Sequence, residues 1–151
     1  MGADERGVTR RYGRRLQQVG AGLFLLGLLV GLAVPRFALP RLALSTHLLG
    51  LMQGLFLLVA GGLWPRLRLS AALSRVGHVA AVVGCVAAWV ANLAGALWGA
   101  GSTMVPLAAG GVRGTALQEG VIKLLLLSAA PCLIATAGLL LWGLRGSPES
   151  E

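Results

Sequence analysis

Hydrophobic positions along the chain fall into four long runs, separated by short stretches where polar residues, glycine and proline gather. The first run covers about residues 16–34 and stops at Pro35, which cannot donate the next helical hydrogen bond. The second spans about 42–64 and ends at Pro65, the third about 76–98, and the fourth about 115–142. Each is long enough to cross roughly 30 Å of hydrocarbon at about 1.5 Å per residue. The pattern therefore predicts an all-α protein, an integral membrane four-helix bundle over residues 16–144. A basic tail, residues 1–15, precedes it and a polar tail, 145–151, follows. The first run is long for the apolar core of a signal peptide and no A-x-A site follows it, so it is expected to stay as the first membrane helix. In that helix Gly20, Gly27 and Gly31 fall near one face, where a neighbouring backbone can approach closely. Pro131 is expected to kink the fourth helix and free the carbonyl of Leu127.

Composition agrees with this. Hydrophobic residues make up 56% of the chain and charged ones 12%, which leaves no room for a soluble domain. The net charge of +8 lies on the tails and loops, and few aromatic residues accompany the arginines. It reads as a topology signal and contact with anionic lipid, with no nucleic acid as partner. Nine of the Arg and Lys residues fall on the side of the N-tail, the 64–75 loop and the C-tail, against three on the other side. Both termini are thus expected in the cytoplasm, with Trp64 and Trp142 at the inner interface and Trp98 at the outer one. Cys85 and Cys132 lie mid-way along apolar runs and read as unreactive thiols, with a disulfide between them as the lesser alternative.

The same topology collects the unusual polar residues in one layer. His47 sits near the outer end of the second helix, Asn92 in the outer half of the third, and Gln118 and Glu119 open the fourth. Gln53 lies about 9 Å deeper than His47. A cavity in the outer half of the bundle would use them. His47 shares a helix face with Gly50, Gly54 and Gly61, which leaves flat space for a neighbouring helix or for a planar cofactor. Two readings of Glu119 stand together: an ion pair with Lys123 four residues on, and a proton donor or acceptor facing the site. Asn92 suits either a bridge between helices or a substrate contact, and His78 reads as an interfacial side chain. There is no P-loop, no dinucleotide glycine pattern, no paired carboxylates and no zinc-type cysteine spacing.

The run LFLLGLLVGL, then PRFALPRLALSTHLLGLMQGLFLL, then LWPRLRLS, followed by AAWVANLAGALWGAG and GGVRGTALQEGVIKLLLLSAA, resembles the hydroxylaminobenzene mutases over about residues 20–146. These are small bacterial membrane enzymes that move the oxygen of an N-hydroxylaminoarene from nitrogen to the ring. Members often read His-Leu-Glu-Gly and Met-Asn-Gly where this chain has Leu49 and Gln53. The chain is more distantly similar to the styrene-oxide isomerases, which bind haem b between the subunits of a trimer. His47 with Gln53-Gly54 reproduces their histidine-to-Asn-Gly spacing, and Trp89 to Asn92 follows their Trp-Ala-Asn. The tyrosine that helps hold their epoxide corresponds to Ala96 here.

The resemblance implies a multi-pass isomerase of the bacterial inner membrane, acting on an apolar aromatic substrate as a homo-oligomer, a trimer being favoured. It implies haem b as cofactor, with His47 as the metal ligand and Gly50 and Gly54 against the cofactor. Gln53, Asn92 and Glu119 would be the catalytic residues, the amides orienting substrate and the carboxyl moving protons. Haem-free acid catalysis by Glu119, haem-dependent epoxide isomerisation and a non-enzymatic transporter or carrier are the alternative expectations.

Overall fold

A computed structural model describes residues 3–145, all of them in helices and connecting turns. Helix α1 covers Ala3–Ala33, α2 Pro40–Leu63, α3 Ala71–Trp98, the one-turn α4 Pro106–Ala109 and α5 Ala116–Gly143. Short 3-10 turns, Val34–Arg36 and Trp64–Arg66, close α1 and α2, each around a proline. Among the described residues four helices are long and apolar enough to cross a membrane. The first begins well inside the stretch expected as a polar tail, since α1 is already helical at Ala3. Of the C-terminal tail, only Arg145 belongs to the described residues.

Local sequence explains where these helices begin and end. Pro40 occupies the first turn of α2, where its missing N–H is not needed. The Ser70 side chain accepts from the Leu73 N–H and caps α3, which starts five residues before the expected Val76. Gly99, at φ +66°, closes α3 in the left-handed region. Thr115 and Gln118 form a capping box at the start of α5, and Pro131 lies within that helix.

The helices pack mainly with their neighbours in sequence: α1 along α2, α2 against α3, and α3 against α5. In lipid this association gains little from the hydrophobic effect, so it depends on close van der Waals approach. The α1–α2 seam supplies that approach by pairing glycines. A methyl group added at Gly13 would lie 2.5 Å from the Gly61 carbonyl oxygen, and one at Gly20 would lie 2.7 Å from that of Gly54. A methyl at Gly50 would reach 2.8 Å from the Gly27 Cα. Gly20, Gly27 and Gly31 thus share the face their spacing predicts.

One anchor differs from expectation. Trp64 is not part of an interfacial belt; it is completely buried, and its Nε1–H donates to Ser74 Oγ at 2.9 Å. An indole whose one donor is satisfied inside the protein has no need of the headgroup region. Trp98 and Trp142 are exposed, and the Arg145 guanidinium lies 5.4 Å from the Trp142 ring centre. At the same end Tyr12 stacks on His78, with ring centres 4.7 Å apart. Cys85 and Cys132 are both free, Cys85 fully buried.

The seam makes a contrast that can be measured. Gly20→Ala forces backbone against backbone and should destabilise the detergent-solubilised protein by about 1–3 kcal/mol. Gly138→Ala in α5, where an added methyl meets nothing within 4 Å, should be neutral or stabilising by up to about 1 kcal/mol. Thermal melts of the two variants side by side check both.

Candidate functional site

By residue count along their helices, His47, Asn92 and Glu119 lie near the same end of the bundle. His47 lies about 10 Å from the start of α2, Asn92 about 9 Å from the end of α3, and Glu119 within the first turn of α5. All three therefore sit toward the end of the bundle that carries α4 and its flanking turns. Around the helix axes they diverge.

The His47 ring lies against α1. Its Nδ1 is 2.8 Å from the Gly27 carbonyl oxygen, and a methyl at Gly31 would sit 2.5 Å from that same nitrogen. A carbonyl can only accept, so Nδ1 carries the hydrogen and Nε2 keeps the lone pair. Nε2 has no partner among the described residues, and the side chain is half-buried. Gly27 as the histidine's partner was not anticipated. Its signal in the sequence was the Gly27–Gly31 pair on α1, which opens room for an imidazole and bares a backbone oxygen.

Gly50 and Gly54 lie on the α1 side of α2. The flat space above them is filled by α1: methyl groups there would meet the Gly27 Cα and the Gly20 carbonyl oxygen, each at 2.8 Å. Within one chain these glycines seat α1. Trp89 presses on the same region, its Nε1–H donating to the Thr46 carbonyl at 3.1 Å. That bond ties α3 to α2 one residue before His47, a role that the proximity of Trp89 to Asn92 in sequence did not reveal.

Gln53 sits about 120° around α2 from His47 and points elsewhere. It is 8% exposed, and its Oε1 has no hydrogen-bond partner. With Leu49, Met52, Phe56, Cys85 and Leu133 it lines a groove of about 270 Å³ between α2, α3 and α5. An amide oxygen buried without a partner costs about 1–3 kcal/mol, so this acceptor is poised for a donor. Leu49 lies in the same groove. Asn92 spends its Nδ2 on the Ala88 carbonyl of its own helix at 2.9 Å, and so does not bridge helices with it.

Glu119 also departs from expectation. Its two oxygens accept three backbone N–H bonds, from Gly101 at 2.8 Å, Gly114 at 3.1 Å and Thr103 at 3.1 Å. Among the described residues it makes no ion pair with Lys123. Both oxygens being engaged by backbone donors, the carboxylate holds the segment between α3 and α5 in place. Val105 and Ala108 of that segment pack on Leu42, Ala43 and Ala96, and so cover the start of α2. Among the described residues no cluster of three or more His, Cys, Asp or Glu could hold a metal ion.

Loss of that clasp has a direct readout. Glu119→Ala removes three bonds to a charged acceptor, and opening of the segment should become about 10-fold or more easier. Trypsin cleavage after the exposed Arg113 should accelerate accordingly, while Lys123→Gln leaves it unchanged.

Comparison with known proteins adds to this geometry. A family model described as styrene oxide isomerase matches residues 12–145. Hydroxylaminobenzene mutase HabB of Ectopseudomonas oleovorans is 47% identical over 135 residues, covering 89% of this chain and 82% of the relative. Hydroxylaminobenzene mutase HabA of the same organism is 42% identical over 125 residues, covering 83% of this chain and 93% of the relative. No solved structure matches.

Proposed function

The chain belongs to the styrene oxide isomerase family and, within it, to the hydroxylaminobenzene mutases, and from that premise we propose a membrane isomerase that converts hydroxylaminoarenes to aminophenols. The reaction is an internal transfer. The N–O bond breaks, a C–O bond forms at the ring, the ring carbon gives up its proton, and nitrogen takes one. No outside oxidant or reductant is needed.

The observation that carries the site reading is the bond from His47 Nδ1–H to the Gly27 carbonyl. A histidine that donates through one nitrogen to a carbonyl offers the other as an oriented, more basic ligand. His47 Nε2 therefore fits a ligand to haem iron, and His47 would hold that group. Bound haem would supply a Lewis acid for the oxygen of the N–OH group. The glycine strip beneath His47 is occupied by α1, so the face for a planar group would come from a second copy of the chain. A homo-oligomer is thus part of the proposal.

The other residues act on the substrate in this reading. Gln53 Oε1, buried and unpartnered, accepts from the N–H or O–H of a hydroxylaminoarene whose ring lies among Leu49, Met52 and Phe56. Since His47 and Gln53 leave α2 in different directions, one copy would offer His47 and another Gln53 to the same substrate. Asn92 supplies a second orienting amide. Glu119 contributes by holding the covering segment, which limits water at the site. Burial in lipid suits an apolar substrate. The arginine excess at the end bearing both termini supports a cytoplasmic location for that end, in the bacterial inner membrane.

Purified protein made with ample haem should show a Soret band and convert phenylhydroxylamine to 2-aminophenol. His47→Ala should lose both. Gly31→Ala, which crowds the imidazole, should cut haem occupancy and turnover by about 10–100-fold while the protein still folds. Full turnover with no Soret band would remove haem from the reading and leave the isomerase. Turnover of styrene oxide alone would favour epoxide isomerisation, and turnover of neither substrate would favour a carrier.

A further inference from the structure

A second groove runs along the outer edge of α3 and α5, away from the residues just described. Val76, Val79, Ala80, Val83 and Cys132 line it, with Arg75 at one end, and its volume is about 380 Å³. The four α3 positions follow the i, i+3, i+4, i+7 rule, so they form one continuous strip. Val76, Val79 and Val83 are each more than 40% exposed, with Ala80 as a notch between them. Arg75 to Val83 measures about 12 Å along the helix, most of the roughly 15 Å hydrocarbon depth of one leaflet.

Charge tells what should cover it. Arg75 lies at the end of the bundle that also carries Arg66, Arg68 and Arg145. Among the described residues none of these makes an ion pair, and the one acid in the middle of the chain, Glu119, opens α5 at the opposite end. By sequence the two tails and the 64–75 loop hold nine arginines against four acids, Asp4, Glu5, Glu149 and Glu151, so a second copy seated in the groove would set one net positive end against another. An apolar strip ending in a guanidinium that makes no ion pair among the described residues is the complement of an acyl chain ending in an anionic phosphate.

We propose that the α3–α5 groove is a binding site for an anionic phospholipid, with one acyl chain along Val76–Val83 and the phosphate on Arg75. The site is independent of the isomerase reading and would stand if that reading failed.

The test uses the full chain in phosphatidylcholine liposomes doped with a diazirine-bearing phosphatidylglycerol or phosphatidylcholine, with adducts mapped after irradiation. Phosphatidylglycerol adducts should concentrate on Val76–Val83 and exceed those of phosphatidylcholine about fivefold, the preference expected for one arginine at the surface. Arg75→Gln should abolish that preference, and Ala80→Trp, which fills the notch, should remove the adducts for either lipid. Equal labelling by the two lipids, or adducts spread evenly over the exposed apolar faces, would overturn the proposal. So would suppression of labelling by inorganic phosphate, which would make Arg75 a site for a soluble anion. A Cys132–Cys132 disulfide between copies on mild oxidation, with no adducts in the groove, would show a second copy there instead.

Discussion

The fold depends on one close approach, that of the α1 and α2 backbones. Lipid tails are as apolar as the side chains they touch, so helices in a bilayer associate where they fit better with each other than with lipid. Here the fit comes from glycine set against glycine, at Gly13 and Gly61, Gly20 and Gly54, and Gly27 and Gly50. Each pair lets backbone atoms meet with no side chain between them. The same proximity that stabilises the pair also bares backbone carbonyls to whatever lies at the end of the seam.

At the end of the seam lies His47. Its ring occupies the place that a further glycine contact would take, against Gly31, and its Nδ1 uses the Gly27 carbonyl. Packing and chemistry are therefore not separate layers in this protein. The seam that holds two helices together also selects the imidazole tautomer and aims its remaining nitrogen. Trp89, donating to the Thr46 carbonyl, secures the same turn of α2 from the α3 side.

Depth was legible in the sequence and direction was not. Apolar runs and their prolines located the four long helices and ranked His47, Asn92 and Glu119 at similar heights, because height follows from residue count alone. Which way a side chain points depends on which neighbour lies beside its helix, and that is a property of pairs. The glycine strip at Gly50 and Gly54 read equally well as a seat for a cofactor or for a helix, and α1 took it. Glu119 read as a partner for Lys123 and as a proton donor or acceptor, because the Gly101, Thr103 and Gly114 amides that converge on it are brought together by an irregular segment with no periodicity. Trp64 has the sequence position of an interfacial anchor, and only the Ser74 hydroxyl ten residues later explains its burial. The early start of α1 was hidden by arginines, which oppose burial in lipid but not helix formation.

The order of packing along the chain bears on how the molecule is made. Each long helix packs on the neighbour just before it in sequence: α2 on α1, α3 on α2, and α5 on α3. A chain delivered to the bilayer from its N-terminus can therefore bury each new helix against one already in place, without waiting for a distant segment. The glycine seam can close as soon as the second helix arrives, and the histidine is seated at that moment, two helices before the chain is complete. Biogenesis would then begin with the chemistry and end with α5, the helix that gives the bundle its last wall.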